Sequence, residues 1–443
     1  MGGAKAKQTI GLVMTTAIVI GTVIGSGIFL LPSSLAPLGP NATIGWMISG
    51  LGAMCVAFSL SRIIRPEGGG LQSYIEASLG PTAGFVASFA FWVSAWSAIA
   101  ATAIAAAAAL SRIVPEISDP WSVALVGIGV TTIVTAVNLR GVRAAGGFAV
   151  ITVLIRILPL LAVIVVVMLR KSSGEQLSAL APTPVTIDNV ATAVTLTLFA
   201  IIGFEAGTTP VGKVRNPART IPVALMAGTA FCVLLYLFSS NAVSQILSPQ
   251  VTAASLAPYA DALQANWGET AAKLAAVGIA IAAIGGLNSN LLCSGEVGYS
   301  MGLRGDIPSV MGKTNGAQTP IVSILFAATL AVILVLLNSS KSTVGLFLFV
   351  SLLSTSVTLY VYVLGAIVAW RTMPTIAVKT AVVASLLFAS FAFYGAGIEA
   401  DLWGVALIAT GLAVRAIMHR LNLRAGSTQA AAASPSAPPE SVA

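Results

Sequence analysis

The sequence predicts an all-α integral membrane protein of twelve transmembrane helices, built as a five-plus-five inverted repeat in which helices one and six are discontinuous. Three observations carry this. The 443 residues are 57% hydrophobic and only 8% charged, against about 25% charged in ordinary soluble chains. Apolar stretches longer than about 18 residues recur along most of the chain, the pattern of a helical bundle and not the weak alternation of a membrane barrel. Two of those stretches, five apart, are interrupted by glycine at mid-depth.

Polar punctuation divides the chain into spans at roughly 10–36, 42–63, 82–111, 121–139, 147–169, 190–211, 220–246, 270–300, 320–338, 343–370, 376–396 and 402–420. Residues 1–9 form a leading segment, 10–169 the first five-helix repeat, 190–370 the second, and 376–420 helices eleven and twelve. The tail 426–443, rich in Ala, Ser and Pro, has no periodic apolar face and reads as disordered. Span one has no small-residue cleavage motif after it and reads as retained.

Span one contains GTVIGSGIFLLP (21–32), where Gly21, Gly25, Ser26 and Gly27 weaken a helix in its middle. Alone, the Gly21 to Gly25 spacing also fits a helix-packing motif. Span six carries LFAIIGFEAGTTP (198–210), with Gly203, Glu205 and Gly207 inside an apolar run. A repeat with an odd number of spans re-enters the membrane inverted, so the two breaks meet near the midplane. Backbone opened at that depth is costly unless it lines a polar cavity. The N–H groups at one half-helix start attract a carboxylate, and the carbonyls at the other's end attract an ammonium. Such a site fits a zwitterion.

Span five places Arg156 within VITVLIRILPLL, at an insertion cost of about 2.5–3.5 kcal/mol that calls for nearby acceptors. The broken first span supplies spare carbonyls. Pairing with Glu205 and snorkelling to the interface are the structural alternatives.

The loops after even-numbered spans, together with the two tails, hold fifteen Lys and Arg, against five in the opposite loops. The positive-inside rule then places both termini in the cytoplasm of a bacterial-type inner membrane. The net charge of +8 is dispersed singly instead of forming a nucleic-acid patch. Cys55, Cys232 and Cys293 have no metal-ligand spacing, and one histidine, His419, cannot build a metal site. The expectation is therefore no cofactor, no metal, no nucleic acid and no enzyme. A sensor that binds without transporting would usually carry a large soluble signalling domain.

GTVIGSGIFLLP, PEGGGLQSYIEASLGP and IIGFEAGTTPVGKVRNPARTIP resemble the amino acid/polyamine/organocation transporters, most of all the bacterial arginine/agmatine antiporter branch, over about residues 8–420. The resemblance implies a LeuT-like fold and antiport of amino acids or polyamines by alternating access; a homodimer is among the arrangements it allows. It implies that the N–H groups around Gly25, Ser26 and Gly27, beside Ile24, with the Ser26 hydroxyl, hold the substrate carboxylate. Carbonyls of Val23, Phe199 and Ile202 hold the α-amino group. Glu205 matches a glutamate implicated in pH dependence. Arg156, where many relatives carry lysine, would stand where sodium-coupled members of the fold hold sodium. Being effectively always protonated, it is a poor proton carrier.

Three positions depart from that branch. Phe199 replaces a covering tryptophan, Leu287 an aromatic of span eight, and Ile99 an asparagine of span three. Ser94, Trp96, Ser97 and Ser354 are the other candidates for the distal end of the substrate, and none is acidic. Gln72 stands where a first tyrosine is usual, with Tyr74 kept. This more apolar pocket favours a neutral amino acid, and a proton-coupled symporter of neutral amino acids is the alternative function.

Overall fold

A computed structural model describes residues 11–25, 27–63, 70–117, 119–139, 148–205, 214–315 and 318–433. Among these residues there are fourteen α-helices and no strand. In chain order they are α1 (Leu12–Val23), α2 (Gly27–Leu35), α3 (Pro40–Ile63), α4 (Leu71–Leu79), α5 (Pro81–Ser111), α6 (Pro120–Leu139) and α7 (Phe148–Ser172). They continue as α8 (Ile187–Ile201), α9 (Pro217–Ile246), α10 (Pro249–Ala254), α11 (Pro258–Leu303), α12 (Ile321–Leu337), α13 (Thr343–Thr372) and α14 (Ile376–Ala433).

The punctuation is chemical. Proline heads α3, α5, α6, α9, α10 and α11, where its fixed φ suits the first turn and its missing N–H would have had no intrahelical acceptor. Side-chain oxygens of Thr186, Ser248 and Ser342 accept the N–H of Asn189, Val251 and Gly345 at 3.2, 3.4 and 3.1 Å, capping α8, α10 and α13. Two long helices each hide a bend at a glycine: Gly268 (φ 79°) in α11 and Gly397 (φ 82°) in α14. Only glycine enters that left-handed region without strain.

Among the described residues, eight helices are long and apolar enough to cross a membrane, and α1 with α2, bent by 48°, makes a ninth when the pair is taken as one span. α8 and α12 are shorter apolar helices. Between the expected spans lie helices that the apolar pattern did not announce: α4, α10 and the segment of α11 before Gly268. The end of α14 also differs from expectation. Helix continues to Ala433, into the tail read as disordered, because alanine is the strongest helix former. Residues 434–443 and 1–10 lie outside the described residues.

α5 is the axis of the molecule, packed on α11 and α13. In its most apolar stretch 89% of residues are buried, against 33% in α7 and α14, which are peripheral. α7 shows how a peripheral helix is sorted. Leu154, Leu158, Leu161, Val165 and Met168 are exposed along one stripe, while Arg156, Leu160, Val163 and Val167 are buried along another. The first stripe suits lipid and the second packs inward.

Ionic ties close the two ends of the bundle. At one, Arg112 Nε meets Asp261 at 3.0 Å, Nη2 meets Glu269 at 3.0 Å, and Ser33 Oγ donates to the Ser255 carbonyl at 2.7 Å. At the other, buried Asp306 accepts Arg304 Nε at 3.0 Å and Arg415 Nε at 2.8 Å, joining α14 to the turn after α11.

Candidate functional site

The helical ladder of span one stops at Val23. Ile24 N–H still donates back to Ile20 O at 2.8 Å, and Gly25 N–H folds onto Val23 O at 2.6 Å. The carbonyls left at the end of α1 are taken by side chains from other helices. Arg156 Nη1 of α7 donates to Gly21 O at 3.1 Å and Ile24 O at 2.9 Å, and Tyr236 Oη of α9 donates to Val23 O at 3.0 Å. A cation at a helix C-terminus is the arrangement that the backbone dipoles favour. Arg156 therefore does not snorkel: it lies on the inner stripe of α7, 6% exposed, with its hydrogen bonds on backbone carbonyls. Gly285 of α11 completes the slot, since a side chain there would collide with Nη2.

The second break follows α8. Ile202 N–H closes the last helical bond to Leu198 O at 3.0 Å. Gly203 then turns at φ 117°, and its N–H donates to Glu205 Oε2 at 3.2 Å, leaving the Phe199 carbonyl without its intrahelical donor. Tyr362 Oη of α13 donates to the same Glu205 oxygen at 3.1 Å. The breaks touch, because a Cβ on Gly203 would stand 2.9 Å from Thr22 O. Residues 206–211, the rest of expected span six, lie outside the described residues, as do the next two residues and Ser26.

Between the breaks lies a cavity of about 170 Å³, room for several waters or a small organic molecule. Of the sequence candidates, Val23, Gly25, Gly27, Phe199, Ile202, Ser94, Ser354, Arg156 and Glu205 border it. Phe199 lies against Gly27, where a Cβ would come within 2.8 Å of its ring, and its outer edge meets Phe347 at 5.9 Å in a T-shaped contact. Ser94 Oγ lies 3.0 Å from Ser354 Oγ and 2.6 Å from Thr358 Oγ1, a small hydroxyl cluster joining α5 to α13.

Ile24, Trp96, Ile99 and Leu287 do not border the cavity. The Ile24, Ile99 and Leu287 side chains are fully buried in packing, and Trp96 packs on Trp92. Trp96, Ile99 and Leu287 each miss by one position. α5 presents Phe91, Ser94, Ala95, Ala98 and Thr102, and α11 presents Gly286, Ser289, Asn290 and Cys293. Both sets follow helical spacing. Starting from Ser94, steps of four residues reach Ala98 and Thr102, so periodicity carried the signal that positional matching missed.

Comparison with known proteins fits this architecture. Residues 15–429 match the model of the amino acid permease family. The chain is 30% identical over 344 residues to the cadaverine/lysine antiporter of Escherichia coli, covering 76% of this chain and 77% of that protein. It is 26% identical to the putrescine transporter PotE of Haemophilus influenzae, covering 90% and 94%, and 25% identical to PotE of Escherichia coli, covering 91% and 94%. With its apolar helices, its two adjoining breaks and a match over most of its length, the chain belongs to the amino acid permease family, whose members are membrane transporters and not enzymes.

Proposed function

We propose that this chain exchanges amino acids or polyamines across a bacterial-type inner membrane by alternating access, as a twelve-span, five-plus-five inverted repeat with both termini cytoplasmic. The observation that carries the reading is the cavity flanked by two helix breaks, with a guanidinium on the carbonyl end of one and a carboxylate beside the N–H of the other. In this reading α1 with α2 is span one, α8 opens span six, and the bend at Gly397 separates spans eleven and twelve. The substrate carboxylate meets the N–H groups around Ser26 and Gly27 with the Ser26 hydroxyl, the Gly25 N–H being donated to Val23 O. Its amino group meets the carbonyls of Phe199 and Ile202; Val23 O already accepts from Tyr236 and Gly25. Phe199 covers the bound substrate. Arg156 fills the place of a sodium ion, so transport needs no sodium, and Glu205 is the coupling carboxylate.

Uptake of labelled solutes into proteoliposomes, preloaded or empty, at two pH values and with or without sodium, tests the reading. Preloading should accelerate uptake, sodium should not matter, and Ser26→Lys should abolish transport while leaving insertion intact. Normal uptake by that variant would refute the site. A second reading, proton-coupled symport of neutral amino acids, draws on the uncharged α5 wall of Phe91, Ala95 and Ala98. It requires uptake into empty vesicles driven by a pH gradient.

A further inference from the structure

The charge of the cavity wall is unusually easy to count. Among the described residues bordering it, Arg156 is the one basic side chain and Glu205 the one acidic side chain. Glu296 lies nearest along α11, one turn beyond Cys293, but is exposed and does not border the cavity. The wall therefore carries +1 and −1. Both charges are fixed in place: Arg156 by Gly21 O and Ile24 O, Glu205 by Tyr362 Oη and Gly203 N–H.

The guanidinium is not saturated. Nη1 makes both carbonyl bonds, while Nε, on a side chain 94% buried by its 6% exposure, has no hydrogen-bond partner among the protein atoms. Nε is shielded from the cavity, and it is the charge of Arg156, which borders the cavity beside the break, that acts on an occupant. The hydroxyls of the wall include those of Ser94, Ser354 and Thr102, already bonded to one another or to backbone carbonyls. Among the described residues no second carboxylate borders the cavity.

We propose that this cavity selects net-neutral amino acids with uncharged side chains, and disfavours the diamines for which the relatives are named. The proposal rests on the reading of the cavity as the substrate site. A zwitterion leaves the site balanced: its carboxylate lies toward Arg156 and Gly27 at the start of α2, its ammonium toward Glu205 and the α8 carbonyls. A diamine brings two ammonium groups. One finds Glu205, and the other meets either the Arg156 field or neutral hydroxyls, where a low-dielectric surround makes the missing counter-charge costly.

The test is binding and counterflow with the purified full chain. Ligand-induced thermal stabilisation and liposome counterflow are compared for L-serine, L-leucine, L-lysine and putrescine. Serine or leucine should exceed putrescine by about 10-fold or more in apparent affinity, with lysine between them. Putrescine matching or exceeding the neutral amino acids, with exchange intact, overturns the selectivity and leaves the transport reading standing. Silence with every solute overturns both. Asn290→Asp, which adds a carboxylate to the half-buried α11 wall, should raise putrescine affinity relative to serine by about 10-fold. An unchanged ratio in a folded Asn290→Asp protein rejects the charge argument.

Discussion

The two helix breaks solve the same problem by opposite means. At the end of α1 the exposed groups are carbonyls, and their donors come from elsewhere: Arg156 from α7 and Tyr236 from α9. After α8 the exposed group is the Gly203 N–H, and its acceptor is Glu205, two residues along the same chain, steadied by Tyr362 from α13. Cation meets carbonyl at the first break, the pairing that backbone dipoles favour at a helix C-terminus; at the second, just past the C-terminus of α8, a local hydrogen bond and not the dipole holds the carboxylate on an N–H. The first break consequently depends on the positions of two other helices, whereas the second takes its acceptor from its own chain and a further donor from α13. Motion of α7 relative to α1 must break charged hydrogen bonds, motion of α9 a neutral one, and motion of α13 relative to the end of α8 the bond from Tyr362 to Glu205.

Variants should reveal this asymmetry in order of size. Arg156→Met strips charged donors from two carbonyls, each bond worth about 1.5–3 kcal/mol, and exchange in liposomes should fall about 100-fold or more. Activity within a few-fold of wild type would mean that the first break does not depend on its donors. Next comes Gly203→Ala, which forces a side chain into the φ 117° turn against Thr22 O. A loss of about 1–3 kcal/mol should appear as an earlier thermal unfolding midpoint, and no shift would show that the second break relaxes freely. Tyr236→Phe removes one neutral donor from Val23 O, which keeps Gly25 N–H. Its cost of about 1 kcal/mol should slow exchange a few-fold. The smallest effect belongs to Arg112→Ala, far from either break: its partly exposed ion pairs should contribute under about 1 kcal/mol. A larger loss of exchange would make that end of the bundle a third control point.

Most of the architecture was legible from the apolar pattern, since lipid forces every span to be long, apolar and internally hydrogen-bonded. α3, α5, α6, α9 and α13 begin or end within a few residues of their expected limits. The lost features are those that lipid does not dictate. α4 and the helix before Gly268 pack on the bundle ends, with no long apolar run to announce them. The site divided in the same way. Gly25, Gly27, Gly203 and Glu205 were readable because glycine and a carboxylate at mid-depth need a reason. Ile99 and Leu287 were misplaced because one residue turns a helix side chain by about 100°, and an apolar residue on an apolar helix gives no sign of which way it faces. The Tyr236 and Tyr362 contributions were invisible, since their partners lie 213 and 157 residues away in the chain.

The placement of Arg156 also bears on how the protein is made. Its acceptors, Gly21 and Ile24, precede it by 135 and 132 residues, so a chain inserted from its N-terminus already holds those carbonyls when the arginine reaches the bilayer. Gly285, the far wall of its slot, is synthesised later. The costliest side chain in the membrane is thus received by an earlier helix and enclosed by a later one, and a chain cut short before α11 would insert with its guanidinium docked on one side and open on the other.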